Sequence, residues 1–355
     1  MDPLTQGVLG AALPQSTWAT GATAAKESGH RKYQVALAGL LGMIGGMAAD
    51  LDILIYSNAD PLLFLTYHRQ FTHSLIFISF GGFIMALLVH WTLGRRWNLR
   101  FLQTALLCSL GYATHALLDT ATSYGTMLLW PFVETRYSWS IISIVDPLFT
   151  LPLALGVVMS GVRNNPGLAR MGLVWALIYL GAGWWQHHGA RNMAADLAAA
   201  RGHAPLRLEI KPSFGNILVW KSVYEAEGQF FIDAMRVGIA PQVYPGTSVP
   251  KLNVGQNFPW LGRNTQQARD IARFNHFSDG FTALDPTNRQ RIIDVRYSFV
   301  PNEISALFSI ELAPEAGTSA HVRYQTHRKH AREQMGRLWR LLIAGFPDTP
   351  PLSGG

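Results

Sequence analysis

The sequence predicts an α-helical membrane domain with about five or six spans, followed by a small extramembrane α+β domain. Charged residues make up only 14% of the 355 residues, compared with about 25% in an average soluble domain. The deficit lies in residues 1–189, which hold 10 of the 29 Lys and Arg residues and 8 of the 22 Asp and Glu residues. We therefore predict a transmembrane domain over 1–189 and a soluble α+β domain over 190–355.

The composition excludes several other protein classes. A wholly soluble or disordered chain does not fit the long apolar runs. Cys108 has no second cysteine to pair with, which excludes a disulfide scaffold. The net charge of +7 could suit nucleic acid, but the basic residues form no stripe interleaved with aromatic side chains. We predict no nucleic-acid partner.

The membrane domain is predicted from apolar runs of about 20 residues, the length that a spanning helix needs. Four or five runs qualify, among Tyr33–Ile55, Leu75–Leu93, Phe101–Leu118, Ile141–Val162 and Leu168–Trp185. A sixth, Pro3–Ala25, is weaker because Pro14 interrupts it. It does not resemble a signal peptide, since Asp2 stands where a positive charge is expected.

The basic residues of the short loops predict the orientation. With six spans, eight of the ten basic residues fall on one side, which the positive-inside rule makes cytoplasmic: Lys26, Arg31, Lys32, Arg95, Arg96, Arg100, Arg163 and Arg170. The opposite side receives most of the acidic residues. We therefore expect a multi-pass protein of the bacterial inner membrane whose domain over 190–355 is periplasmic.

Histidines and carboxylates collect at this outer side. His115 and Asp119 are four residues apart, which places them on one face of a helix. The other candidates stand at the ends of predicted spans: Asp50, Asp52, His68, His73 and Asp146. Ionisable groups at a membrane edge are costly unless they are paired, hydrated or bound to metal.

Imidazole and carboxylate donors together suit zinc, with manganese or iron as alternatives, and the number of carboxylates allows one to three ions. Such a site would activate water to attack an ester or phosphoester, and Arg69 would hold an anionic substrate. Each piece also has a simpler interpretation. Asp146 before Pro147 is typical of a helix N-terminus, and Arg69 could balance local charge.

Four stretches of the sequence together resemble the YdjM-like family. They are Met1–Gly7, the Asp50–Asp52 turn, the His68–Ser74 loop and the His115–Asp119 helix, and the resemblance covers roughly residues 1–160. It implies a LexA-regulated, inner-membrane-associated, metal-dependent hydrolase. Family members often carry His where this chain has Gln6, which leaves Asp2 as a substitute ligand. A more distant similarity, to zinc-dependent phospholipase C, lacks the further downstream histidines.

Residues 190–355 predict an antiparallel sheet with helices. Alternating or β-rich runs indicate strands at Leu206–Ile210, Ile217–Tyr224, Gln229–Val237, Arg291–Phe299 and Ser305–Leu312, and helices at Gln266–Phe274 and Arg328–Ile343. Several further acidic and histidine residues fall at no metal-like spacing, and we expect surface or core roles for them: His276, Asp279, Asp285 and His321.

The leading prediction is a membrane-bound metal-dependent hydrolase that contacts the lipid bilayer and acts on a lipid or lipid-linked ester or phosphoester. The alternative is a non-catalytic metal-binding membrane protein whose outer domain docks a partner. A transporter ranks third, because it would need ionisable groups near the bilayer midplane.

Overall fold

The computed structural model describes residues 1–18, 33–328 and 331–343. The chain forms two compact units. The first consists of Met1–Ile55 and Tyr67–Gly183, and the second of Tyr56–Thr66 and Trp184–Gly355. The domain boundary at residue 189 stays a prediction. Lys26, Arg31 and Lys32 lie outside the described residues, as does the end of the run Pro3–Ala25.

The N-terminal part of the chain is helical. Its helices are α1 (Pro3–Thr17), α2 (Gln34–Ala48), α3 (Leu63–Tyr67), α4 (Leu75–Val89), α5 (Phe101–Ala121), α6 (Pro147–Arg163) and α7 (Pro166–Ala200). A 3₁₀ helix, Ala49–Leu54, extends α2, and two short turns, His90–Gly94 and Arg95–Trp97, extend α4.

Within the described ranges, four helices have the length and apolar composition of membrane spans: Gln34–Leu54, Leu75–Trp97, Phe101–Ala121 and Pro166–Ala200. The predicted run Ile141–Val162 forms a shorter helix that begins only at Pro147. Asp146 caps this helix by accepting a hydrogen bond from the Phe149 amide, and proline suits the first helical position because it needs no N–H donor there.

Glycines bring α1, α2 and α5 into backbone contact. A Cβ on Gly111 of α5 would lie 2.0 Å from the Gly42 carbonyl oxygen of α2, and one on Gly45 would lie 2.1 Å from the Cys108 carbonyl oxygen. Lipid provides no hydrophobic drive for helix association, so small residues that permit close van der Waals contact take that role. This contact joins the two helices that carry most of the candidate ligands.

We expect Gly111→Ala to destabilise the membrane unit by about 1–3 kcal/mol, because the new methyl group forces α2 and α5 apart. Thermal unfolding of the purified protein in detergent measures the loss. Gly181→Ala is the matched control, since a Cβ there meets no atom within 4 Å. Equal melting temperatures for the two variants would contradict the expectation.

The second unit contains two four-stranded antiparallel sheets in its described part, each with its strands in chain order. The first comprises β1 (Arg207–Pro212), β2 (Val219–Ala226), β3 (Gln229–Arg236) and β4 (Gln242–Pro250), and the second β5 (Thr282–Asp285), β6 (Asn288–Asp294), β7 (Phe308–Glu311) and β8 (Arg323–Thr326). The helices that follow α7 are α8 (Val254–Asn257), α9 (Gln266–Phe277) and α10 (Ala331–Ile343).

Two of the apolar clusters in the core of this unit connect its sheets and helices. One joins the two sheets through Phe230 and Ile232 of β3 and Ile293 of β6. The other lies between α9 and the second sheet, where Phe274 packs with Ile292 and Ile310. The predicted antiparallel α+β domain therefore agrees with the structure at this level.

Candidate metal centre

Three separate pieces of the first unit position the candidate ligands. Asp50 and Asp52 lie on the 3₁₀ helix that extends α2. His73 ends a second 3₁₀ turn, Phe71–His73, immediately before α4. His115 and Asp119 lie one turn apart near the end of α5, where the four-residue spacing aligns them on one face.

Four ligand atoms converge on one point. His73 Nε2 lies 3.5 Å from Asp50 Oδ1 and 3.3 Å from Asp119 Oδ2. His115 Nε2 lies 3.3 Å and 3.6 Å from the same two oxygens. A tetrahedral ion with bonds of about 2.0–2.1 Å holds its ligand atoms about 3.3–3.4 Å apart. The four separations between imidazole nitrogens and carboxylate oxygens match that geometry.

Three of these atoms are buried and make no hydrogen bond in the described part of the chain: His73 Nε2, His115 Nε2 and Asp119 Oδ2, the last of which forms an ion pair with Arg69 Nε at 3.0 Å. Their side chains are 0% exposed. Buried polar atoms are ordinarily satisfied, and leaving one unpaired costs about 1–3 kcal/mol. Two imidazole nitrogens without hydrogen bonds, facing two carboxylate oxygens, are what the coordination sphere of a cation requires.

Hydrogen bonds to the Nδ1 atoms fix the orientation and the tautomer of both imidazole rings. His115 Nδ1 lies 2.5 Å from the Gly46 carbonyl oxygen, which can only accept. Thr72 Oγ1 donates to Asp52 Oδ2 at 2.8 Å, so His73 Nδ1 must be the donor in its 2.9 Å contact with that hydroxyl. In the neutral rings both Nε2 lone pairs therefore face the other ligands, as in metal-binding histidines.

The charge around His73 also favours a cation. Burial alone would lower the pKa of this imidazole, but the neighbouring carboxylates of Asp119, Asp50 and Asp52 outweigh burial and raise the pKa to about 10. The pocket thus stabilises positive charge strongly. A bound metal ion would provide that charge in place of the proton.

A second set of ligand atoms adjoins the first. Asp50, Asp52 and His68 each offer an atom within 4.8 Å of the others. His68 Nδ1 lies 2.8 Å from Asp52 Oδ1, and the Arg69 amide donates to Asp52 Oδ2 at 3.0 Å. Asp50 belongs to both sets. The side chains of Asp50 and His68 are 26% and 34% exposed, so this second position is open to solvent.

Comparison with known proteins covers the half of the chain that contains these residues. The profile of the YdjM inner membrane protein family matches residues 1–190. The chain belongs to the YdjM family. It is also 30% identical over 144 residues to inner membrane protein YbcI of Escherichia coli (strain K12), a match covering 38% of this chain and 80% of that protein. No solved structure matches the chain.

Membership in the YdjM family confirms the resemblance inferred from the sequence motifs, and together with the apolar helices it supports an inner-membrane location. The matched region contains both sets of ligand atoms. Most of the second compact unit lies beyond residue 190 and outside the family profile.

The structure places three other predicted site residues in supporting positions. Arg69 is buried, with Nε 3.0 Å from Asp119 Oδ2 and Nη1 donating to Thr122 Oγ1 at 3.1 Å. Asp2 caps α1 by accepting from the Thr5 amide. Asp146 caps α6 and accepts from the Tyr179 hydroxyl at 2.8 Å. Neither Asp2 nor Asp146 joins a set of ligand atoms among the described residues.

Gln6 is a site residue whose role sequence reasoning did not assign. Its Nε2 donates to Asp119 Oδ1 at 2.8 Å, and the amino nitrogen of Met1 also contacts that oxygen. Both contacts leave Oδ2 directed at the ligand cluster. The sequence signal was the position itself, since YdjM-like proteins often carry His there.

We expect Gln6→Leu to weaken zinc binding roughly tenfold, because Asp119 loses a hydrogen bond that orients it. Competition with a metal-binding dye measures the affinity. Gln15→Leu provides the matched control, since Gln15 is also buried on α1 but lies nine residues, about 13 Å, further along the helix. A similar loss in both variants would mean that helix packing, and not orientation of Asp119, is responsible.

Proposed function

We propose that this YdjM-family protein is a zinc-dependent hydrolase of the inner membrane that cleaves an ester or phosphoester bond in a lipid or lipid-linked substrate. The observation that carries the proposal is the convergence of two buried imidazole nitrogens that make no hydrogen bond, His73 Nε2 and His115 Nε2, on the carboxylate oxygens of Asp50 and Asp119.

The donor set supports zinc as the metal. Two imidazole nitrogens and two carboxylate oxygens are frequent zinc ligands, and their separations of 3.3–3.6 Å suit tetrahedral coordination. Octahedral coordination of a similar ion would bring adjacent ligand atoms to about 3 Å. Manganese and iron accept the same donors but favour that closer arrangement.

The two ligand sets suit different tasks. The set with His73 and His115 supplies four protein ligands and is closed, as in structural zinc sites. The set of Asp50, Asp52 and His68 supplies three protein ligands at a partly exposed position, as in catalytic zinc sites that keep one position open. We assign catalysis to the second set. The first set would hold the helices that position the catalytic ligands.

A divalent ion at the open position would lower the pKa of bound water and polarise a substrate oxygen. The protein's own residues organise the surroundings. Asp52 Oδ1 lies 2.8 Å from His68 Nδ1, and Thr72 donates to the other Asp52 oxygen, which holds the carboxylate in place beside His68. Arg69 neutralises the buried carboxylate of Asp119. Arg69 therefore acts as a positioning residue in this proposal.

The helix directions support a periplasmic site. Arg100 immediately precedes α5, whereas His115 follows about 22 Å along the helix at 1.5 Å per residue. The basic end of α5 is cytoplasmic by the positive-inside rule, which assigns the ligand-bearing end to the periplasm. Because Arg163 and Arg170 flank the start of α7, the same rule makes the chain beyond α7 periplasmic.

Metal analysis combined with hydrolysis assays tests the proposal. Full-length protein in lipid nanodiscs should contain at least one zinc per chain and hydrolyse members of a panel of phosphodiester, phosphomonoester and carboxylic-ester lipids. Chelation should abolish turnover and added zinc should restore it. Turnover that is unchanged after complete metal removal would disprove the proposal.

A second candidate function is supported by the enclosure of the first ligand set. His73, His115 and Asp119 are completely buried, which also suits a metal that only stabilises the protein. Stoichiometric zinc without hydrolysis of any panel substrate would favour this non-catalytic metal-binding membrane protein.

A further inference from the structure

The segment between two of the candidate ligands is part of the core of the second unit. Residues Tyr56–Thr66, here called the 56–66 segment, cluster with Trp184–Gly355. Leu62 and Leu65 are 0% and 7% exposed because they pack with Phe274 and its neighbours. The Phe64 ring also contacts the Tyr324 ring edge-to-face at 5.1 Å. The second unit thus completes its core with residues from the membrane half of the sequence.

Arg273 of α9 holds the same segment by polar contacts. Its Nη1 donates to Asp60 Oδ1 at 2.9 Å, and its Nη2 donates to Thr66 Oγ1 at 3.4 Å. Asp60 also caps the segment internally by accepting from the Leu62 amide at 3.0 Å. Arg273 therefore ties the middle and the C-terminal end of the 56–66 segment to one helix.

This cluster resembles a further cation site, but its contacts argue otherwise. Asp60, Asp270 and His321 offer ligand atoms within 4.8 Å of one another. The Arg273 guanidinium already contacts both carboxylates, and Asp270 Oδ2 accepts from His321 Nδ1 and the Val322 amide. The positive charge comes from arginine, so the cluster stabilises the segment. The structure thus gives His321 a role within this unit.

The 56–66 segment connects the two halves of the open ligand set. Asp52 precedes it, His68 follows it, and their side chains meet at 2.8 Å. Bringing two chain positions together across a flexible loop costs conformational entropy. A loop whose middle is packed in a folded core has less conformational entropy to lose when its ends meet. Asp52 and His68 therefore come together at a lower cost in free energy.

We propose that the C-terminal unit positions the open ligand set by folding around the 56–66 segment, with Arg273 as a positioning residue. This inference rests on the metal centre of the proposed function. It gives residues 190–355 a specific task, which is to hold the loop that joins Asp52 to His68. Loss of the contacts to the 56–66 segment should make the positions of Asp52 and His68 less well defined, although neither residue is changed.

The test compares Arg273→Gln with Arg291→Gln in the full-length protein. Arg291 belongs to the same unit and also pairs with two carboxylates, Asp285 at 3.0 Å and Glu311 at 3.1 Å, but does not contact the 56–66 segment. Zinc titration of chelator-treated protein should show a roughly tenfold weaker affinity for Arg273→Gln, the size expected when ligand orientation is lost. Arg291→Gln should bind like the unmodified protein.

Hydrogen exchange provides a readout independent of metal and of turnover. Amides of residues 50–55 and 67–73 should exchange faster in Arg273→Gln and in Leu62→Ala, while the amides of α5 stay protected. Unchanged zinc affinity and unchanged exchange in both variants would overturn the positioning role, even if the enzyme is active. Weaker zinc binding in a protein that never hydrolyses lipid would retain the positioning role and reject the hydrolase.

Discussion

Replacing His115 with alanine is expected to abolish tight zinc binding and hydrolysis together. His115 supplies one of four ligand atoms, and its Nδ1 bond to Gly46 has no substitute in alanine. The loss in affinity should exceed about 100-fold, because even partners outside the coordination sphere contribute 10–100-fold. Zinc content after gel filtration measures the first effect. Turnover of the panel lipid that the unmodified protein hydrolyses measures the second.

His90→Ala is the matched control for this experiment. His90 is also a buried histidine of a candidate span, and its Nδ1 lies 3.0 Å from Thr104 Oγ1. It belongs to neither ligand set. Full zinc content in His115→Ala would refute the closed set, and zinc loss in His90→Ala would indicate general damage to the fold.

Replacing His68 with alanine is expected to separate the two ligand sets. The closed set does not contain His68, so one zinc per chain should remain tightly bound. The open set loses one of three protein ligands, and turnover should fall by at least about 100-fold. Zinc stoichiometry and the turnover number, measured on the same preparation, distinguish His68→Ala from His115→Ala.

Near-normal turnover in His68→Ala would contradict the assignment of catalysis to the open set. Loss of all zinc in this variant would instead show that the two positions bind metal only together. In that case the shared carboxylate of Asp50 would be the natural cause, since it belongs to both sets.

The membrane helices were largely predictable because long apolar runs leave few alternatives to a helix. The run that begins at Ile141 shows the limit of this reasoning. Residues Ile141 and Ile142 are apolar but donate backbone hydrogen bonds to the Ala121 carbonyl at the end of α5. The helix begins only where Asp146 and Pro147 provide a cap. Hydropathy alone cannot distinguish a buried loop from a helix.

The strands were predictable where apolar residues alternate and less so elsewhere. The predicted strand Arg291–Phe299 was wrong in its bounds, because β6 spans Asn288–Asp294 and the Asp294 side chain accepts from the Arg296 amide and guanidinium. The strand β4 was not predicted. It contains Pro245 and Gly246, which resemble a turn in sequence but are tolerated at the edge of a sheet.

The candidate site followed from local chemistry in part. The four-residue spacing of His115 and Asp119 and the position of Asp50 at a span end indicated residues that the structure brings together. The contact from Gln6 to Asp119 depends on how α1 packs, which no local pattern encodes. The burial of Leu62 and Leu65 likewise depends on residues more than about 200 positions away in sequence.

The interleaved chain path has a practical consequence for anyone who expresses this protein in pieces. A recombinant fragment that stops at Gly183 would retain Leu62 and Leu65 but lose the apolar side chains that bury them. Such a truncation would expose these apolar residues to water and promote aggregation. The complementary fragment would have a cavity where Leu62 and Leu65 pack. Both fragments should therefore be co-expressed when the two units are studied separately.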